Sequence, residues 1–521
     1  MGWIQRMTLA VGEQKLPLVL LCLDAGDPRF IQQWAGEGRL PVIKSIMDRG
    51  CWGTTAGPEL ISEHGVWASV LSGISRSQHG FYFFRQLKPG TYELETVTGH
   101  QFDAPPFWSH LKGGDRKVAI VDIGEEDPIP GLRGIQLSNW DTHHNWNPAR
   151  YVTASEPPKF LREVQRQFGT KLSVMESHQS TLGEDREIHR QLLANIEKKG
   201  AMCRWLLGRD QFDLVTLMFC ESHSASHQFW KYRPEAPAEM RVEASDLTHA
   251  IRDVYEAIDR ELGLLLNELP GESNIFILSS VGLDDCYPAS ELIDSFCRQL
   301  GYQTTPASKV GSFRPIDLAR IILPESWRIA LSRRLSRDRR EGIVADQFRT
   351  GTDWGKTTAF SIPSFYTSLV RINLCGREPE GIVKPGEEYD RVLDRLEADL
   401  KQLTDAETGE PAVDAVFRTT ASFGCGPHDH LPDLFVAWKP GRFMSRVLHP
   451  RAELTQRKPE FFRPSDHCRY GFVAAAGPSI GGKGSLGELS LLDLALTFMS
   501  LMGEPIPARM RGRVVPAFCQ D

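Results

Sequence analysis

LVLLCLDAGDP, Leu18 to Pro28, is the stretch from which the fold is read. The apolar run Leu16–Leu23 is far short of the roughly 18–20 residues a membrane span needs. It breaks off at Asp24 with no small-residue cleavage site, so it reads as a buried strand and not as an anchor or a signal peptide. A carboxylate at a strand end, just before a Gly turn, is placed either to bind a metal or act as a base, or to cap the next helix.

Working outward, similar short runs recur: KVAIVDI (117–123), FDLVTLMF (212–219), NIFILSS (274–280), SLVRINL (368–374), DLFVAW (433–438) and GFVAAAG (471–477). Long charged segments with helical spacing lie between them, for example 186–207 and 243–269. Strands alternating with helices predict an α/β protein whose sheet is covered on both faces. In such sheets ligands sit beyond the carboxyl ends of strands, which makes the polar residues just after these runs the first candidates. Segments 124–185 and 286–355 are richer in Pro, Arg and irregular pattern and are expected to be insertions capping the site, within one domain spanning 16–520. In the second, SWRIALSRRLSRDRREG (326–342) reads as a basic helix with a solvated face, the alternative being contact with a partner or a membrane surface.

The 521 residues are 41% hydrophobic and 24% charged, enough for a sizeable core. A net charge of −7 gives no positive field for nucleic acid or an anionic membrane, so an anionic small-molecule substrate has to be held by a local site. Ten scattered cysteines form no C-x-x-C pair, which suits free thiols in a reducing compartment; the expected location is the cytoplasm. No apolar run is long enough to span a membrane, and nothing in the chain specifies an oligomeric state.

The sharpest chemistry is FCESHSASHQFWKY (219–232), where His223 and His227 stand four apart after a strand, so one helical turn puts both imidazoles on one face. Glu221 is close enough to be a third ligand or a carboxylate that orients an imidazole, while plain packing of both rings against Phe229 and Trp230 is the alternative. His467, beside Asp466 in SDHCRYGFVAAAGPSI (465–480), precedes a strand and could complete a three-nitrogen site. His428 and His430, in a Gly/Pro turn of FGCGPHDHLPDLFVAW (423–438), fit metal, substrate contact or an ordinary loop equally well. SNWDTHHNW (138–146), with Asn139, His143, His144 and Trp146, could be a pocket wall or a surface Asx turn.

Taken together and in order, LDAGDP, WASVLSGISRSQHG, DLVTLMFCESHSASHQFW, the long segment 353–396, LPDLFVAWKP, DHCRYGFVAAAGPSI and the ending LLDLALTFMSLMGEPIPARMRGRVV resemble the alkaline phosphatase superfamily, in its type I phosphodiesterase/nucleotide pyrophosphatase-like branch. The resemblance runs from about Leu16 to Phe518. It implies an alkaline-phosphatase-like core with a central, mostly parallel sheet and helices on both faces. It also implies two neighbouring divalent metals, usually zinc, and a Ser or Thr that attacks phosphorus. Carried over position by position, Asp24 matches the first metal Asp, His227 the His of the D-x-x-x-H pair, and His467 the late metal His. His223 stands where that pair has its Asp, which makes the site with a dication more positive and suited to an anionic ligand.

The second metal site departs further. In ILSSVGLDDCYP (277–288), Ser280 and Val281 occupy the ligand positions of the branch's S-D-H-G, and valine cannot bind a metal. Counting back from Gly73, with Trp67 and Ser69 aligned to A-W-T-S, the nucleophile position falls on Glu63, flanked by Ser62 and His64.

Three functions fit these residues. One is a hydrolase in which a metal on His223, His227 and His467 polarises a phosphate or related ester and water, activated by the metal or by Glu63, attacks; Ser62, one register away, is the alternative nucleophile. Another is a repurposed single-metal centre of three His plus Glu63, with Asp24 near, open to iron or manganese as well as zinc and to non-hydrolytic chemistry. The last is a non-catalytic binding protein. The joint loss of the nucleophile and the second-site ligands points to Glu63 as a ligand or base for one remaining metal.

Overall fold

The computed structural model describes residues 16–62, 64–142, 151–170, 180–238, 240–307, 335–458 and 463–519. Leu18–Leu23 forms strand β1, buried at every position, as a run with no polar face requires. Burying each Leu or Val of such a strand contributes about 1.5–3 kcal/mol before chain entropy is counted. Among the described residues the other strands of the same sheet are β2 (Cys51–Ala56), β3 (Lys117–Val121), β4 (Arg133–Ser138), β5 (Ala154–Glu156), β6 (Leu214–Phe219), β7 (Asn274–Ser279), β8 (Gly471–Ala476) and β9 (Gly484–Ser490). Their spatial order is β9-β2-β8-β7-β1-β6-β3-β4-β5.

The sheet is mostly parallel. β1 pairs parallel with β6 and β7, β3 with β4 and β6, and β2 with β9. Only β8, between β7 and β2, and β5, at one edge, run antiparallel to their neighbours. The charged segments between strands are helices, as their spacing predicts. Leu182–Leu207 starts at a capping box between Thr181 and Glu184. Ala250–Leu266 buries Ile251, Val254, Ile258, Leu262 and Leu265 at three- and four-residue intervals, and the two helices pack on each other. No helix among the described residues is long and apolar enough to cross a membrane.

Two of the seven runs, SLVRINL and DLFVAW, leave the central sheet. Ser368–Ile372 and Leu434–Trp438 lie in a separate antiparallel sheet, flanked by Ala359–Ile362 and Val413–Arg418. With helices Ser290–Gln299 and Glu387–Leu400 they enclose their own apolar core, in which Phe296, Val370, Leu393 and Val436 are buried. An aromatic cluster of Tyr82, Phe83, Phe84, Tyr92, Trp354, Phe360 and Phe435 joins residues 82–92 to this second sheet. Of the segments expected as caps, 124–185 supplies β4 and β5 to the central sheet, and the described part of 286–355 supplies the helices Ser290–Gln299 and Arg337–Thr350. Most of the basic stretch 326–342 lies outside the described residues.

Candidate functional site

β1 and β6 lie side by side with Leu23 opposite Phe219, so whatever follows them emerges at the same edge of the sheet. Asp24 follows β1, its N–H donating to the Phe219 carbonyl at 2.9 Å. Helix Glu221–Phe229 follows β6 and is buried along its whole length, with His223 and His227 one turn apart. The Ser222 hydroxyl donates to the Asp24 carbonyl at 2.6 Å and ties the helix start to the strand end. β8 runs antiparallel, with Phe472 opposite Ser279, so the residues before it reach the edge that the parallel strands reach at their ends. That brings in His467, on the short strand Ser465–His467 paired with Leu283–Asp285.

His223, His227 and His467 converge. One ligand atom from each lies within 4.8 Å of the other two, and the ring centroids are 4.8, 4.9 and 5.1 Å apart. Each Nδ1 faces a polar atom: Asp24 Oδ2 at 2.9 Å from His223, Ser465 Oγ at 3.1 Å from His227, and Asp466 Oδ1 at 2.9 Å from His467. An imidazole whose Nδ1–H is held this way keeps its Nε2 lone pair for a cation, and three neutral nitrogens backed by hydrogen-bond acceptors form a donor set that fits a divalent metal. Asp24 is outside this group of three; its other oxygen accepts from Trp67 Nε1 at 2.8 Å.

Beneath the helix start lies a second buried charge cluster. Lys199, 1% exposed, donates to the carbonyls of Asp141 and Met218 and lies 3.3 Å from Asp122 Oδ2. Glu221 is also buried; burial pushes its carboxyl up to about 8, against the pull of Lys199 and with help from Asp141. Burial pulls the Lys199 ammonium down, but Glu221, Asp122 and Asp141 outweigh it and hold it well above its ordinary value. Lys199 lies on the buried stripe Leu192, Ile196, Lys199, Cys203, Leu206, and a lysine on an otherwise apolar stripe is the mark of this cluster in the sequence.

Glu63, at the counted nucleophile position, lies outside the described residues. Its neighbours are fixed: the buried Arg76 guanidinium donates to the carbonyls of Ser62 and His64 at 2.7 and 2.8 Å, and to that of Glu59. The Ser62 hydroxyl donates to the Tyr82 carbonyl at 2.7 Å, so its proton is directed to a backbone acceptor. Gly65 then turns the chain into helix Val66–Ser72 at φ +78°, where a Cβ would stand 2.4 Å from the Phe81 carbonyl oxygen, so only glycine fits. Following that helix, His79 accepts from the Phe81 N–H at Nδ1 and pairs with Ser69 Oγ through Nε2; burial, with Arg76 adding, pushes it down to about 3.

Ser280 and Val281, the positions that the resemblance aligns with a second metal site, are buried at 2% and 3% exposure. Among the described residues, the three imidazoles are the group whose side chains could share a metal. His428 ties the loop before Leu434–Trp438 to the short helix Arg76–His79: Nδ1 accepts from the N–H groups of His430 and Leu431, and Nε2 donates to the Ser77 carbonyl at 2.6 Å. The His430 side chain packs against Gly80. Asn139 is fully buried at φ 55°, its carbonyl accepting from Thr153 Oγ1 and its amide donating to the Val152 carbonyl, so it turns the chain. His143, His144 and Trp146 lie outside the described residues. All ten cysteines are free thiols.

A model of the family described as type I phosphodiesterase / nucleotide pyrophosphatase matches residues 18–459. No curated protein matches by sequence. Among solved structures, phosphonoacetate hydrolase from Sinorhizobium meliloti 1021 in complex with phosphonoformate superposes with a TM-score of 0.50 at 14% identity, over 94% of this chain and 96% of that one. Murine ectonucleotide pyrophosphatase / phosphodiesterase 5 superposes with a TM-score of 0.47 at 11% identity, over the same shares. At such identities the likeness to the hydrolase shows the fold.

Proposed function

Because the chain belongs to the type I phosphodiesterase / nucleotide pyrophosphatase family, we propose that it is a metal-dependent hydrolase of a small anionic phosphate or related ester, working with one divalent cation. The observation that carries this reading is the convergence of His223, His227 and His467, each ring backed at Nδ1. Three neutral nitrogens suit zinc, with a single iron or manganese as the alternative that the same donors would accept. A cation held there supplies Lewis acidity toward a phosphoryl oxygen.

The chain's own residues do the rest. The imidazoles carry no negative charge, so an anionic ester meets a net positive site. Water is the proposed nucleophile, and Glu63 takes its proton or serves as a further ligand, on a loop whose flanking carbonyls Arg76 holds. Ser62 is proposed to hold that loop, since its hydroxyl is engaged with the Tyr82 carbonyl. The ten free thiols support a reducing compartment, and the cytoplasm is the location proposed. The domain is proposed as one unit over 16–520, with 124–185 and 286–355 shaping access to the site.

The nitrogen-rich single centre also favours a second reading, a metalloenzyme repurposed for non-hydrolytic chemistry on a small molecule. Metal analysis combined with an aryl phosphodiester and monoester assay separates the two. The expected result is one metal per chain, turnover that survives Ser62→Ala, and turnover lost in Glu63→Ala. Turnover lost only in Ser62→Ala would make Ser62 the nucleophile. A metal-loaded protein inert on every ester would favour the repurposed centre.

A further inference from the structure

Asp24 is anchored at its backbone N–H and carbonyl and at both carboxylate oxygens. Its N–H reaches the Phe219 carbonyl, its carbonyl accepts from Ser222, Oδ1 accepts from Trp67 Nε1, and Oδ2 faces His223 Nδ1. The next residue, Ala25, has φ 49°, a left-handed conformation uncommon for a residue with a Cβ, so the turn holds Asp24 in place at some cost in strain. The carboxylate is 5% exposed. The resemblance makes Asp24 a metal ligand and puts a carboxylate at position 223; the geometry puts an imidazole at 223 and the carboxylate one hydrogen bond behind it.

We propose that Asp24 is a positioning residue: it receives the Nδ1–H of His223 and turns that ring's Nε2 toward the shared cation position, while Trp67 holds the other carboxylate oxygen so that Oδ2 stays aimed at His223. The inference rests on the reading of the three imidazoles as a metal centre. Asp466 stands in the same relation to His467, at the same 2.9 Å, so a carboxylate backs two of the three rings from outside the group that faces the cation position. A carboxylate behind an imidazole fixes its tautomer and raises its basicity, and its loss weakens metal binding about 10–100-fold. A ligand behaves differently, because removing it changes how many metals the protein holds or dismantles the site.

The test uses the full chain, stripped of metal by chelation, in wild type, Asp24→Asn, Trp67→Phe and His227→Ala. Zinc stoichiometry and affinity are read by competition with a chromophoric chelator, cobalt loading by visible absorption, and folding by the melting temperature of the metal-free protein. The expected result is one zinc per chain in wild type and in Asp24→Asn, with affinity about 10–100-fold weaker in Asp24→Asn. Trp67→Phe, which leaves the carboxylate intact, weakens binding in the same direction by less, and the metal-free melting temperatures explain neither change. A fall from two metals to one in Asp24→Asn would make Asp24 a ligand and overturn the proposal, as would unchanged affinity in both variants. If His227→Ala binds zinc as wild type does, the reading of the three imidazoles as a metal centre fails, and the proposal with it.

Discussion

Two of the polar clusters buried among the described residues are built on opposite principles. In the second sheet, Arg371 and Arg377 meet Glu378 and Asp433 with all four side chains no more than 5% exposed, at 2.7 Å for Arg371–Glu378 and Arg377–Asp433. The remaining donors there end on the carbonyls of Ile372, His428, Asp429 and Leu431, and the Tyr389 hydroxyl and the Ile372 N–H complete Asp433. Burial pushes the Asp433 carboxyl up, but Arg377 and Arg371 bring it below its ordinary value. At the edge of the central sheet, three imidazoles converge instead, and the carboxylates stand outside them. Opposite charges that satisfy one another hold a structure, whereas like donors turned toward one point make a place for a cation.

Breaking each cluster should therefore give different losses. The largest effect is expected from His227→Ala, which removes a central donor: metal content falls toward zero and ester turnover drops roughly a thousandfold or more, since a Lewis acid is worth several kcal/mol in such reactions. Its metal-free melting temperature should stay close to wild type, as checked by calorimetry. Arg377→Ala should do the reverse. Leaving Asp433 buried without its partner costs about 3–5 kcal/mol, seen as a lower urea midpoint, while the protein that remains folded still binds one metal.

A smaller effect concerns His79. Its folded pKa, about 3, lies below its ordinary value of 6.5, so the unfolded chain binds the proton more readily. The stability it contributes is complete above pH 6.5 and is lost as pH falls toward 3, by up to about 1.4 kcal/mol per pH unit. In His79→Gln the part of the pH dependence between these values should flatten when urea midpoints are compared at neutral and mildly acidic pH. The smallest effect is expected of Ser62→Ala, which removes one hydrogen bond, about 1 kcal/mol, and leaves turnover within a few-fold of wild type. A collapse of turnover in that variant would erase the distinction between a structural hydroxyl and the chemistry beside it.

Much of the fold was legible because the buried strands have no polar face. LVLLCL, KVAIVDI, FDLVTLMF, NIFILSS and GFVAAAG all became strands of the central sheet. β2, β4, β5 and β9 were not legible: CWGTTA alternates between buried and half-buried positions, Arg133–Ser138 is buried only in its second half, Ala154–Glu156 has three residues, and Gly484–Ser490 is a largely exposed edge. SLVRINL and DLFVAW look locally like central strands, and only their partners assign them to the second sheet. At the site, the spacing of His223 and His227 revealed their shared helical face. Ser465 and Trp67 carry no such mark, because a serine or tryptophan reads the same whether it backs a ring or fills a surface.

The sequence by itself determined most of the buried central strands and that a pair of imidazoles shares one helical turn. Those properties depend on residue type and short spacing. The tertiary structure alone decided that His467, lying before a strand, meets His223 and His227, lying after one, because β8 runs against its neighbours. It also decided that Asp24 stands behind His223 and that His428 reaches the Ser77 carbonyl. Strand direction and pairing are set by packing across hundreds of residues, and no local pattern encodes them.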